Sequence, residues 1–212
     1  MNGVMVKALV PSLPLYLLTL LQTIEAGKSA DFKESALGYY YQFLITEAFY
    51  KSGVKQDKLT EMFQYCYNLA WFFHKAHKKE MLESDLRAFN EKFSSEWSTM
   101  DFSVQLTTLI DSRVLNKVGD EYSFRYPYIY YFLKGKFLSE NLGDREIKTY
   151  IEHCCEHLYV RDYANTIIFL AHHSNDEFVL DSVAVGLMTA FNDCKPIAFN
   201  NLISANPQHG RF

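Results

Sequence analysis

Residues 101–141 read DFSVQLTTLIDSRVLNKVGDEYSFRYPYIYYFLKGKFLSEN, and the fold turns on this stretch. Phe102, Leu106, Leu109 and Ile110 fall on one helical face, which predicts a helix over 101–112. Two short strand-like runs follow, Val114 to Val118 and Tyr122 to Tyr126, around Gly119-Asp120, a dipeptide suited to a tight turn. Pro127 comes next, where a first helical residue tolerates the loss of its N–H, and an aromatic-rich segment continues to Asn141.

Helix, hairpin, helix is the outline of a winged-helix module with a two-stranded wing. On either side the spacing predicts helices almost throughout, so the fold class is mainly α: a helical segment, the winged module and a C-terminal helical array. The upstream helices run over about Leu15 to Glu25, Ser35 to Lys51 (stopped by Gly53) and Asp57 to Lys78, with a shorter one after Ser84 as N-cap. Downstream they cover Asp144 to Leu158, Arg161 to His173, and Asp176 to Phe191 after Asn175 as cap. The stretch from Lys195 to Phe212 is polar and weakly patterned. Gly143-Asp144 is the best boundary candidate, which divides the chain into 1–80, 81–143 and 144–212.

Composition narrows the function classes. Of 212 residues, 49% are hydrophobic and 22% charged, enough apolar material for a substantial core. The net charge of −4 arises entirely after residue 143: residues 1–143 carry 16 cationic and 16 acidic residues, and 144–212 carry 5 against 9. The 101–112 helix would be the DNA-reading helix of a winged module, yet it has no Lys or Arg and two Asp. A DNA reader needs cations for phosphates and Arg, Asn or Gln for base edges, and Gln105 alone does not supply them. The charge pattern therefore argues against nucleic acid and for protein packing.

Cys66, Cys154, Cys155 and Cys194 show no disulfide-framework spacing, which predicts reduced thiols in a cytoplasmic protein. The apolar stretch Leu13 to Leu21 is too short to span a bilayer and is interrupted by Pro14, Tyr16 and Thr19, so no membrane association is expected. His153 and His157 stand one helical turn apart, a metal-binding spacing, but with no second ligand cluster evident no metal is expected. His172-His173 closes a helix, where imidazolium suits the dipole. Cys66 and His74 are about two turns apart on one helix, a poor separation for a nucleophile and its base. With no Gly-x-Ser-x-Gly and no Gly-x-x-x-x-Gly-Lys-Ser/Thr motif, no catalytic residue is expected.

Phe124-Arg125-Tyr126-Pro127-Tyr128-Ile129-Tyr130-Tyr131-Phe132, followed by Phe137-Leu138-Ser139, resembles the end of the winged helix in bacterial STAND-class signalling NTPases, the group that contains NACHT and NB-ARC proteins. Ile167 to Ser174 resembles the helical region that follows it, and Pro11-Ser12-Leu13-Pro14-Leu15 resembles the Gly-Leu-Pro-Leu element opening the helical lid. The resemblance implies a lid, a winged helix and the start of a C-terminal helical region, without the nucleotide-binding core. It implies ATP or ADP as cofactor of the parent protein and none for this chain, with Pro14 near the adenine only when the core is supplied. Partners would be the core or other protein surfaces, with oligomerisation in the full-length context and, as in bacterial relatives, a role in defence against phage. Two departures stand out. Ser12 replaces the element's glycine, and Tyr126 stands near the position of the histidine that senses phosphate at the wing exit.

Arg125 and Tyr126 are the candidate interface residues. Strand alternation is expected to put Phe124 and Tyr126 on one face and Arg125 on the other, and an Arg among aromatics can stack while offering a planar fork to a carboxylate or phosphate. The alternative to a signalling-NTPase arm is a stand-alone helical adaptor that binds a protein partner, with a DNA-binding regulator behind both.

Overall fold

The computed structural model describes residues 36–97 and 101–190. The first helix, α1 (Ala36–Lys51), ends because Gly53 adopts φ 90°, which lets Val54 N–H donate to Phe49 O (3.0 Å) and Gly53 N–H to Tyr50 O (3.1 Å). A 3-10 turn at Gln56–Lys58 leads into α2 (Leu59–Lys75), whose inner face carries Met62, Phe63, Cys66, Leu69, Ala70 and Phe73. Next come a short strand β1 (Glu80–Leu82), α3 (Glu83–Glu96) and α4 (Phe102–Asp111). The hairpin is β2 (Leu115–Val118) and β3 (Glu121–Phe124), with Gly119 at φ 60° in the two-residue turn. Four helices complete the described residues: α5 (Pro127–Glu140), α6 (Arg145–Glu156), α7 (Arg161–His173) and α8 (Glu177–Ala190).

The mainly α expectation holds, but the sheet has a third strand. β1 pairs antiparallel with β3, Met81 opposite Tyr122, so β3 is central in the order β1-β3-β2. Met81 and Tyr122 are both almost fully buried, and that side-chain pair is what draws three residues into the sheet. The strand also resets the helix start that Ser84 was expected to cap: α3 begins at Glu83, and the Asp85 carboxylate accepts from Leu82 N–H at 3.3 Å. Likewise Asp176, not Asn175, accepts from Phe178 N–H at 3.0 Å ahead of α8. The cap at Asp101 accepts from Val104 N–H at 2.9 Å, and that at Asp144 from Glu146 N–H at 2.8 Å. Helix Leu15 to Glu25, Pro14 and the stretch from Lys195 lie outside the described residues.

Two apolar clusters meet along α5. The larger gathers α1, α2, the sheet, α3 and α4 around Phe132 and Leu133, and takes Phe169 from α7. The smaller joins Leu138 to Ile147, Ile151, Cys154, Cys155, Ile167, Leu170 and Val179. Helices α5 and α7 approach so closely at Gly135 that an added Cβ would lie 2.9 Å from both Leu170 N and Phe169 C. No helix among the described residues is long and apolar enough to cross a membrane.

Candidate functional site

A cavity of about 600 Å³ opens where the sheet meets α5, α6 and α7. Its floor is aromatic: Phe73 from α2, Phe124 from β3, Tyr130 and Tyr131 from α5, Tyr150 from α6 and Tyr163 from α7. Its rim is basic where α2 runs into β1, with Lys78 and Lys79 beside His77, and Glu80 and Asp162 are the acidic members. His77 takes φ 53° there, turning the chain from helix to strand. A cavity of this size with apolar walls and a few convergent polar groups is the ordinary shape of a small-molecule site.

Behind the aromatic wall lies Lys134, at 0% exposure. Its Nζ is 3.5 Å from Asp162 Oδ2 and 3.4 Å from Tyr150 Oη, and sits over the rings of Tyr130 (4.7 Å) and Tyr131 (5.3 Å). Tyr131 O–H donates to the other Asp162 oxygen at 2.8 Å. Burial lowers the Lys134 pKa, and the Asp162 charge works against that shift. Burial, with the Lys134 charge adding to it, takes His74 down to about 4, so its ring is neutral at pH 7. Burial raises the phenols too, taking Tyr131 to about 12 and Tyr130 and Tyr150 higher still. Behind the wall the buried Lys134 amine thus faces one half-exposed carboxyl group and a set of phenol hydroxyls.

Arg125 and Tyr126 lie at the wing exit, outside this cavity. β3 ends at Phe124, so the expected alternation stops short of Tyr126, which caps α5 instead. Phe124 packs inward on Phe73 (5.0 Å), while Tyr126 stays at the surface, stacked on Tyr128 at 5.3 Å and 8°. The Arg125 guanidinium lies 5.5 Å from the Tyr126 ring centre and donates to Asn116 Oδ1 at 3.0 Å. Arg–aromatic stacking is thus present, on an exposed corner. Pro14 falls outside the described residues.

The other constellations resolve as follows. Cys66 is wholly buried and burial raises its thiol well above the usual range, while His74 faces the cavity. Cys154 and Cys155 are raised by burial to about 12 and about 11. At the end of α7 burial lowers His172, and the buried His173 ring turns inward, donating from Nε2 to Phe132 O at 3.1 Å. His153 and His157 do come together, with ring centres 4.3 Å apart, and Glu156 joins them, a residue the sequence reading passed over. Lys134 was also missed, although Tyr130 and Tyr131 at i−4 and i−3 are the spacing that covers a lysine stem.

The sequence model of the family described as Novel STAND NTPase 4 matches residues 79–133. That match relates the segment to STAND-class NTPases. It runs from the start of β1 to the middle of α5, covering the three-stranded sheet, α3, α4 and the aromatic residues Tyr130 and Tyr131. No curated protein and no solved structure matches the chain.

Proposed function

We propose that this chain is the regulatory and interaction region of a STAND-class signalling NTPase of the NACHT/NB-ARC kind, coupling nucleotide state to oligomerisation or effector release, with antiphage defence as its setting. The observation that carries the reading is the position of the family match, which coincides with the segment β1–α3–α4–β2–β3 and the opening of α5. Together with α2, this order of helix, strand, two helices and hairpin supports a winged helix. Its α4 has no Lys or Arg, which supports a protein-facing role over DNA reading. In this reading the ATP or ADP belongs to the parent protein's core. The exposed Arg125–Tyr126 corner contacts that core or the lid, and Pro14 approaches the adenine when the core is present.

A second reading, the helical adaptor, is favoured by one observation: Leu180, Val185, Leu187 and Met188 of α8 are exposed. The gene separates the two. An in-frame phosphate-binding loop upstream of residue 1 supports the signalling-NTPase reading. A reading frame that starts at residue 1, with no NTPase core encoded beside it, leaves the adaptor.

A further inference from the structure

At the end of α6, His153, Glu156 and His157 bring one ligand atom each to within 4.8 Å of one another. His153 and His157 share a helix face through their i, i+4 spacing. Glu156, at i+3 from His153, lies on that same face, and His157 itself is the C-cap at φ −122° and ψ 39°. We propose that these three residues form a binding site for a borderline divalent cation of the zinc class.

Three features support this. First, the geometry is within reach: zinc holds imidazole and carboxylate ligands at about 2.0–2.2 Å, and in its tetrahedral shell two such atoms lie about 3.4 Å apart. Small rotations close the remaining gap, and His153 and Glu156 are exposed and have room to make them. Second, the imidazoles are already oriented. His157 Nδ1 donates to His153 O at 2.8 Å, leaving Nε2 as the metal-facing nitrogen. One His153 nitrogen is held by Tyr163 Oη at 3.3 Å, the kind of outer partner that fixes a ligand ring. Third, the site stands at a helix C-terminus, where the backbone carbonyls favour a cation. Two imidazoles and one carboxylate select Zn²⁺ and its neighbours over Mg²⁺ or Ca²⁺, which prefer all-oxygen sites. His153 and Tyr163 also line the aromatic cavity, so a bound ion would stand at its edge. The proposal does not depend on the signalling-NTPase reading.

The test is calorimetric titration of the metal-free full chain with ZnCl₂, repeated with MgCl₂, and with Co²⁺ followed by absorbance. The expected result is one Zn²⁺ per chain, no heat with Mg²⁺, and a Co²⁺ spectrum without a thiolate charge-transfer band. Loss of an outer partner alone costs about 10–100-fold in affinity, so His157→Ala should weaken Zn²⁺ binding by at least that much and Tyr163→Phe by about tenfold. Should His157→Ala lower the melting temperature of the metal-free chain, His153→Gln, on an exposed residue, replaces it. The proposal is overturned by the absence of Zn²⁺ binding, by wild-type affinity in His157→Ala or His153→Gln, or by a thiolate band placing the ion on cysteine.

Discussion

Asp162→Asn should destabilise the fold far more than Lys134→Met, although the two residues are partners. The Lys134 ammonium is fully buried, whereas the Asp162 side chain is 44% exposed. At their 3.5 Å separation, Coulomb attraction is about 4.7 kcal/mol at an effective dielectric of 20 and about 1.2 kcal/mol at that of water. A half-exposed carboxylate lies between these limits, so about 2–3 kcal/mol is expected on Asp162→Asn, which leaves the ammonium buried without a counter-charge. Asn retains an oxygen to accept from Tyr131 O–H, so that bond (2.8 Å) survives the substitution. Lys134→Met removes the charge whose burial is unfavourable, keeps most of the stem volume, and leaves Asp162 in contact with water. Its effect should be within about 1 kcal/mol of zero. Urea unfolding of wild type, both single variants and the double variant measures this, and the double variant should resemble Lys134→Met. The corresponding shift in melting temperature for Asp162→Asn is about 4–12 °C for a domain of this size. If Lys134→Met costs as much as Asp162→Asn, the buried ammonium is a net stabiliser and the reasoning is wrong.

Gly186→Ala and Gly135→Ala should both destabilise, by about 1–3 kcal/mol of overpacking less about 1 kcal/mol of helix propensity gained. Gly186 should be the worse, since its added Cβ would fall 2.3 Å from Cys155 O, while Gly143→Ala, with nothing within 4 Å, serves as the neutral control in thermal melts. Stability should also rise with pH over a window that closes near 10.5. The folded Lys134 gives up its proton below the unfolded value of 10.5, so in that window the unfolded chain binds more protons. Lys134→Met should abolish this rising limb and spare the fall above about pH 10, where the unfolded tyrosines ionise and the buried Tyr130 and Tyr150 do not. Stability should fall as pH drops from 6.5 to about 4, because unfolded His74 takes up a proton that the folded ring refuses; His74→Phe flattens that limb in pH-dependent unfolding curves. Arg125→Ala, at an exposed corner, should change unfolding free energy by less than about 0.5 kcal/mol, while altering nucleotide-dependent activation of the parent protein. An unchanged activation profile would remove Arg125 from the proposed contact.

What could be read from the sequence follows the strength of each local signal. Helix α7 runs over Arg161–His173 as expected, because its apolar residues repeat over several turns. The hairpin was legible from Gly119-Asp120, since a two-residue turn with positive φ leaves little choice of residue. Strand β1 was not, because Glu80-Met81-Leu82 is too short to show a period and is drawn into the sheet by Tyr122, some forty residues later. The cavity was equally hidden. Its walls come from six separated elements, and only their packing shows that Lys134 faces Asp162. The metal-binding spacing of His153 and His157 could be seen in the sequence, and Glu156 at i+3 shares their face, but only the folded end of α6 shows the three side chains brought together.

The central claim is that this chain works as one arm of an NTPase assembly. It is tested most directly by tagging the chain at its native locus, purifying the assembly, and measuring its ATP hydrolysis while identifying its polypeptides by mass spectrometry. The account predicts ATPase activity that travels with the tag and a phosphate-binding-loop core, either in the same polypeptide or in fixed stoichiometry with it. A tagged product that carries neither the loop nor any ATPase activity would contradict it.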